Sequence, residues 1–311
     1  MSIFTCINNS PEFNLSSQSY QLKTSRTSAN NSCLASQITI PKVAWFSIYE
    51  FRGKPMCEPY ANTWTEQQSR PTHVIKRIRQ GYYACISYVD ELIGKLLTKL
   101  KTNGFWDNTI VAFLGDHGYH LGEQSIFGKN TAFEVAANAP LMFSVPGVTD
   151  KGMISDNLVE FVDVFPTLVE LAGFPKLPYC PQSNSRSIDV CTEGSSLLPF
   201  LRNTLPEDYE WKEYVFYQYP NRYPESNRRC IGYTIRTARY RYTEWTHYLS
   251  KQSGYSFKGE TEVCDVELYD HLEDPNETIN IAEDHALRDK ISQLREKLHQ
   301  GWSQALPSAA A

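Results

Sequence analysis

The chain has 311 residues, 41% of them hydrophobic and 21% charged, with a formal net charge of −5. That length carries one large domain or two modest ones, and the balance suits a buried core. The acidic balance excludes nucleic-acid binding by bulk electrostatics, and no run reaches the ~18 apolar residues of a membrane helix, so neither nucleic acid nor membrane is expected as a partner.

Residues 1–36 are rich in Ser, Asn, Thr and Gln with few periodic apolar positions, and read as a disordered or unrelated leader. The opening MSIFTCINNSPEF has no positive n-region and makes a poor signal peptide. Residues 37–73 hold an extended piece, ITIPKVAWFSIYEF, followed by a Pro-rich irregular stretch. A helix is expected over 74–103, where Ile75, Ile78, Tyr82, Ile86, Val89, Ile93, Leu96, Leu97 and Leu100 recur near the 3.6 period and Gly104 can close it.

The strand TIVAFLG follows at 109–115 and is expected to be a buried parallel strand. It ends in Asp116 and His117, with Gly118 allowing the chain to turn so that both side chains reach one point. A carboxylate beside an imidazole suits a divalent metal, and an oxygen-rich remainder would favour Ca²⁺ or Mg²⁺. The alternative is a capping Asp with a surface His. Lys129, thirteen residues beyond the acid, is either solvated or folded back against an anion as a point charge. Tyr119 directly after the turn is a candidate wall of a substrate pocket, while His120 and Glu123 read as structural.

A second strand, APLMFSVPG, is expected at 139–147, and a helix at 160–172 with Pro166 in its first turns and Gly173 at its end. Beyond 174 the chain turns irregular. Strand-like pieces come next at 213–220, 232–245 and 266–270, and a last helix at about 282–302. Arg236, Arg239 and Arg241 fall in one of these strands and could form a stripe that meets sulfate or carboxylate, or a solvated face. The domain boundaries that follow are 1–36, 37–175 and 176–311.

Of the eight cysteines, none forms a CxxC pair, which argues against a zinc ribbon or thioredoxin-type chemistry. Cys180 and Cys191 bracket a polar loop and are expected to form a disulfide, which implies an oxidising compartment. No pairing is assigned to Cys6, Cys33, Cys57, Cys85, Cys230 or Cys264. Sequons stand at Asn8, Asn14, Asn30 and Asn276. The motifs G-x-S-x-G, H-E-x-x-H, GxGxxG and the P-loop are all absent.

The run DNTIVAFLGDHGYHLGEQSIFGK resembles the second conserved motif of the type I sulfatases, in the alkaline-phosphatase superfamily. IRQGYYACISYVDELIGKLL, EVAANAPLMFSVPG, VEFVDVFPTLVELAG, FYQYP, GYTIRTARYRYTEW and VELYDHLEDPNETINIA extend the resemblance over roughly residues 37–300. It implies an α/β fold, an alkaline-phosphatase-like sandwich around a mixed sheet. A smaller α+β C-terminal subdomain with an antiparallel sheet would follow. It also implies Ca²⁺ bound by Asp116 and His117, a sulfate contact from Lys129, and Tyr119 beside the site. The implied substrates are sulfate esters on iduronate in heparan and dermatan sulfate, sulfated glycosaminoglycans degraded in the lysosome.

The departures are as specific as the matches. The sulfatase nucleophile is a formylglycine made within a C-x-P-S-R motif, and none of the eight cysteines has that context. The paired aspartates of the family's first strand are absent, which leaves Ca²⁺ two ligands of about six. The expectation is therefore an N-terminally truncated sulfatase, inactive alone, whose partner is an N-terminal sulfatase chain. The alternative is a non-catalytic glycosaminoglycan-binding protein using Lys129 and the arginine stripe.

Overall fold

A computed structural model describes residues 4–6, 39–45, 71–182, 187–204, 209–220, 230–247 and 263–307. The Pro-rich stretch, the sequons at Asn8, Asn14 and Asn30, Cys33, Cys57 and most of the expected leader lie outside them. In chain order the elements are β1 (Phe4–Cys6), α1 (Lys42–Trp45), α2 (Thr72–Thr102), β2 (Val111–Leu114), β3 (His120–Leu121), β4 (Phe127–Gly128), α3 (Glu134–Ala137), β5 (Leu141–Ser144), β6 (Met153–Ser155), α4 (Val164–Leu171), α5 (Leu198–Arg202), β7 (Tyr214–Pro220), β8 (Cys230–Thr237), β9 (Tyr240–His247), β10 (Val263–Asp270) and α6 (Arg288–Gln300).

The first sheet is mixed, in the order β2-β5-β1-β6. Two expectations are corrected here. Residues 4–6, inside the expected leader, form a strand that pairs parallel with β5 and antiparallel with β6. The strand that ends before Asp116 is antiparallel to β5, at the edge of this sheet, and half-exposed rather than a buried parallel strand. The physical reason is the connection between them. The chain from 115 to 140 folds into the β3–β4 ribbon and the short α3, with no crossover helix to carry it back in the same direction. The fully apolar β5 is the spine of this half. Leu141 and Phe143 pack with Val159 and with Leu197, Phe200 and Leu201 of the α5 region.

The second sheet is antiparallel, in the order β10-β9-β8-β7. The run expected as one strand over 232–245 is a hairpin, β8 and β9, turning at Ala238 and Arg239. Alternation along its strands divides two faces. Ile235, Tyr242 and Leu268 pack on Leu294 and Leu298 of α6. Trp245, Tyr269 and Cys230 pack on Ile40, Ala44, Ile126 and Phe133. This second face joins the C-terminal subdomain to the α/β half. α1 belongs to it, which corrects the extended reading of residues 42–45.

Two disulfides lie among the described residues, Cys180–Cys191 as expected, and Cys230–Cys264, which the sequence left unassigned. No helix among the described residues is long and apolar enough to cross a membrane. The 31-residue α2 buries none of its side chains fully. Its N-terminal turns are held by Arg79, whose Nε donates to the Leu121 carbonyl at 2.8 Å, and by Tyr82. Past them Tyr88, Val89, Leu92 and Leu96 form a second apolar stripe, 45–68% exposed.

Candidate active site

β2 delivers the chain to the site and backbone bonds hold the turn that follows. Gly115 N donates to Pro140 O at 3.0 Å and Gly118 N to Ala136 O at 2.8 Å. The need for glycine at 118 differs from the expected one. Its φ is not in the left-handed region; instead a Cβ there would sit 2.0 Å from the Val135 carbonyl oxygen. Close approach to α3, rather than freedom to turn, fixes this residue.

Asp116 and His117 are brought together. His117 Nε2 lies 3.2 Å from Asp116 Oδ2, with the carboxylate largely in solvent and the ring one-third exposed. His117 Nδ1 is 2.9 Å from the Gly118 carbonyl, to which it can only donate. That bond uses Nδ1 and leaves Nε2 facing Asp116, where it is buried and has no hydrogen-bond partner. An orphaned imidazole nitrogen beside a carboxylate oxygen at 3.2 Å is the separation two ligands of one cation adopt. The pair therefore has the spacing and chemistry of two ligand positions for a divalent metal.

Lys129 reaches the same place. A cleft of about 400 Å³ is lined by Asp116, His117 and Lys129, by Asn130 and Thr131, by Glu160 to Val162, and by the β7 residues Phe216 to Tyr219. Lys129 leaves the β3–β4 ribbon directly after Gly128, so that short ribbon folds it back against the turn. Tyr119 goes elsewhere: its ring stacks on Tyr82 of α2 at 5.0 Å, and it is not among the cleft's lining residues. The cleft's rings come instead from Phe161 and from β7, and FYQYP was the sequence signal for the latter. Tyr217 is fixed by its hydroxyl, which donates to Ala132 O at 2.9 Å.

Glu160 forms part of the cleft and is spoken for. Its Oε1 accepts from Phe216 N at 3.0 Å and its Oε2 from Lys212 Nζ at 2.7 Å. Lys212 is fully buried and bonds Asp163 Oδ1 at 2.6 Å as well. Asp163 in turn accepts from Glu160 N and Ser195 N. This buried triad clamps β7 to the segment before α4 and so sets the width of the cleft.

The expected arginine stripe is corrected. The hairpin places Arg236 opposite Arg241 on one inner face, and both are buried. Two guanidinium groups in register repel unless neutralised. Arg236 pairs with Glu134 at 3.1 Å, and Arg241 with Glu277 at 2.5 Å and Glu267 at 3.3 Å. Arg239, in the turn, pairs with Asp270. Arg236 and Arg241 are buried in ion pairs and the half-exposed Arg239 is paired with Asp270, so the three do not form an open anion stripe.

His120 is buried completely, with Nε2 2.7 Å from Thr131 Oγ1. Burial pushes its pKa down to about 4, so the folded protein keeps it neutral while the unfolded chain protonates near 6.5. The unfolded state thus binds more protons between those values, and stability falls as pH drops from 6.5 toward 4. The expected loss is about 3 kcal/mol. Urea denaturation at pH 6.5 and at pH 4 measures it, and a His120→Gln variant should show a much flatter dependence across that window.

A strand-end carboxylate, an imidazole and a lysine thus line one cleft of a mixed α/β fold. The chain belongs to the sulfatase family: the sulfatase family model matches residues 17–174, beginning inside the expected leader. A second model, the C-terminal domain of N-sulphoglucosamine sulphohydrolase, matches residues 122–304. Iduronate 2-sulfatase of Mus musculus is 33% identical over 254 residues, covering 69% of this chain and 45% of the relative. The Homo sapiens enzyme is 35% identical over 218 residues, covering 57% and 40%. The chain thus spans less than half the length of these relatives. A solved structure in complex with its substrate D-glucosamine-2-N,6-O-disulfate superposes with a TM-score of 0.55 at 25% identity, covering 80% of this chain and 46% of that one. The phosphonate monoester hydrolase of Agrobacterium radiobacter, at TM-score 0.56 and 24% identity over 80% and 45%, shares the fold.

Proposed function

We propose that this chain is the C-terminal portion of a sulfuric ester hydrolase of the iduronate 2-sulfatase type, acting on 2-O-sulfated iduronate in heparan and dermatan sulfate. The observation that carries the reading is the convergence of Asp116, His117 and Lys129 on one cleft within a sulfatase-family fold. Asp116 and His117 would hold Ca²⁺ as two of its ligands. A bound Ca²⁺ supplies positive charge against the sulfate ester. Lys129 adds a compact ammonium at the cleft wall, suited to pair with sulfate oxygens and with charge developing on the leaving oxygen. Gln218 and Tyr219 offer the sugar a polar and an aromatic surface from β7.

The nucleophile must come from elsewhere, because no cysteine of this chain carries the formylglycine context. The exposed apolar stripe of α2 supports the same reading. A contiguous patch of this kind is a surface for other protein, here the remainder of a sulfatase α/β domain. The two disulfides favour a secretory route, consistent with lysosomal action.

Binding and turnover of a fluorogenic 2-O-sulfated iduronide, with and without Ca²⁺, test this. The purified chain should bind the sulfated sugar in a salt-sensitive manner without hydrolysing it. Lys129→Ala should weaken binding ~10-fold or more, the worth of a charge-assisted hydrogen bond. Turnover by the chain alone would overturn the assignment of the nucleophile, and indifference of binding to Lys129→Ala would overturn the site.

A further inference from the structure

We propose that Cys230, His247 and Cys264 form a second cation site, selective for a soft divalent ion such as Zn²⁺, that opens when the Cys230–Cys264 disulfide is reduced. The three residues come from the same end of three neighbouring strands. Cys230 is the first residue of β8 and His247 the last of β9, and they are direct register partners. In β10 the ladder pairs Val263 with Thr246 and Asp265 with Trp245, so Cys264 is an extra residue between them. Such a bulge re-aims a side chain. Strands two places apart in a sheet lie about 9–10 Å from each other, yet the Cα atoms of Cys230 and Cys264 are 6.8 Å apart. The bulge, placed where β9 ends, accounts for that approach.

A disulfide needs no third donor, and here one stands beside it. A ring nitrogen of His247 and the two sulfurs all lie within 4.8 Å of one another. A tetrahedral zinc with two thiolates and an imidazole, at about 2.3 Å to sulfur and 2.0 Å to nitrogen, holds its ligand atoms roughly 3.5–3.8 Å apart. Parting the sulfurs to that spacing is a side-chain adjustment across a 6.8 Å Cα separation. The donor set also sorts the metals. Thiolate and imidazole select Zn²⁺ over the hard cations that suit Asp116, so the two sites would not compete for one ion.

The chemistry balances with a dithiol as reductant. Its two sulfurs give two electrons and two protons to the Cys230–Cys264 bond and become a disulfide themselves. Zn²⁺ then displaces both cysteine protons and is bound by two thiolates and neutral His247, with the fourth position left to water. Cys230 is buried and Cys264 half-buried, so the reductant enters from the β10 side. An oxidising compartment keeps the disulfide; a thiol-rich one exchanges it for the metal form.

The test uses the full chain and Co²⁺ as a coloured stand-in for Zn²⁺. The protein is reduced anaerobically with a phosphine, freed of metal and titrated. The reduced wild type should develop a thiolate-to-cobalt charge-transfer band and tetrahedral visible bands at one equivalent, both bleached by Zn²⁺; the oxidised protein should show neither. His247→Ala keeps both sulfurs, and its oxidised fold can be checked by circular dichroism before reduction. It should bind at least ~10-fold more weakly. Zn²⁺ should also raise the Tm of the reduced wild type and leave that of the oxidised protein unchanged. The Cys180→Ser/Cys191→Ser double variant should retain the bands, while Cys264→Ser loses them. Absence of the charge-transfer band in reduced wild type, equal affinity in His247→Ala, or loss of native structure on reduction in the presence of Zn²⁺ would each overturn the proposal.

Discussion

Replacing Lys212 with methionine is expected to destabilise the protein by about 3–5 kcal/mol, the cost of breaking a buried ion pair by removing one partner. Lys212 has no exposed side-chain surface, and its ammonium lies 2.7 Å from Glu160 and 2.6 Å from Asp163. Burial works to lower its pKa, but the two carboxylates override that and hold it above the ordinary lysine range. The group is therefore charged across the working pH range. Methionine matches the stem in volume and removes the charge, leaving two carboxylates facing each other in a low-dielectric pocket. One of them must take up a proton or the clamp must open. Because Glu160 also receives the Phe216 backbone N–H, opening the clamp shifts β7 and with it the cleft wall. The midpoint of urea denaturation reports the loss. A Lys212→Met/Asp163→Asn double variant should recover part of it, since the second change removes one of the stranded charges. Additive losses would mean that the pair does not act as a unit.

Lys212 also shows why part of the site escaped a reading of the sequence. Nothing around it distinguishes it from a surface lysine, and its partners stand 52 and 49 positions away. Asp116, His117 and Lys129 were legible because one local segment carries all three, and the ribbon that folds the lysine back needs only the 120–128 stretch. Tyr119 was close in sequence but points to α2, because the backbone turn at 116–118 separates successive side chains. The β7 wall belonged to a recognisable segment, but its position across the cleft depends on the buried triad.

The same division runs through the fold. Period and punctuation placed α2 and β5 to within about three residues, while α4 and α6 begin four and about six residues later than expected, after short 3-10 turns. The three-residue β1 has too little sequence to show a period, and the direction of β2 relative to β5 depends on what connects them. The β8–β9 turn at Ala238 and Arg239 contains neither Gly nor Asn, the usual marks of a two-residue hairpin loop. Missing that turn put the three arginines on one stripe. The real register buries two of them opposite each other and sends the third into the turn. Cys230 and Cys264 are 34 residues apart, and only the ladder register and its bulge bring them together.

The buried arginines set up the second large effect, an acid sensitivity that Glu277→Gln should remove. Glu277 is fully buried between Arg241 and His271. It also accepts from the Glu134 backbone N–H at 2.7 Å, tying α3 to the C-terminal sheet. Burial tends to raise its pKa, but the charge of Arg241 and the bonds from His271 and Arg241 bring it down to about 2, against 4.5 for a free glutamate. A carboxyl depressed by folding contributes stability that is fully present above the unfolded value and lost as pH falls toward the folded one. The window is therefore pH 4.5 down to about 2, and the contribution about 3 kcal/mol. It lies mostly below the His120 window, so acid unfolding should proceed with two successive slopes. Glutamine keeps the size and one acceptor but cannot neutralise Arg241, whose Nη2 already lacks a hydrogen-bond partner. Glu277→Gln should cost about 3–5 kcal/mol at neutral pH and flatten the lower slope, while the upper one persists and deepens, because the Glu277 charge raises the His120 pKa. Chemical denaturation at pH 7, 4.5 and 3 separates the two contributions. An unchanged slope below pH 4.5 in the variant would show that Arg241 is neutralised by Glu267 and not by Glu277.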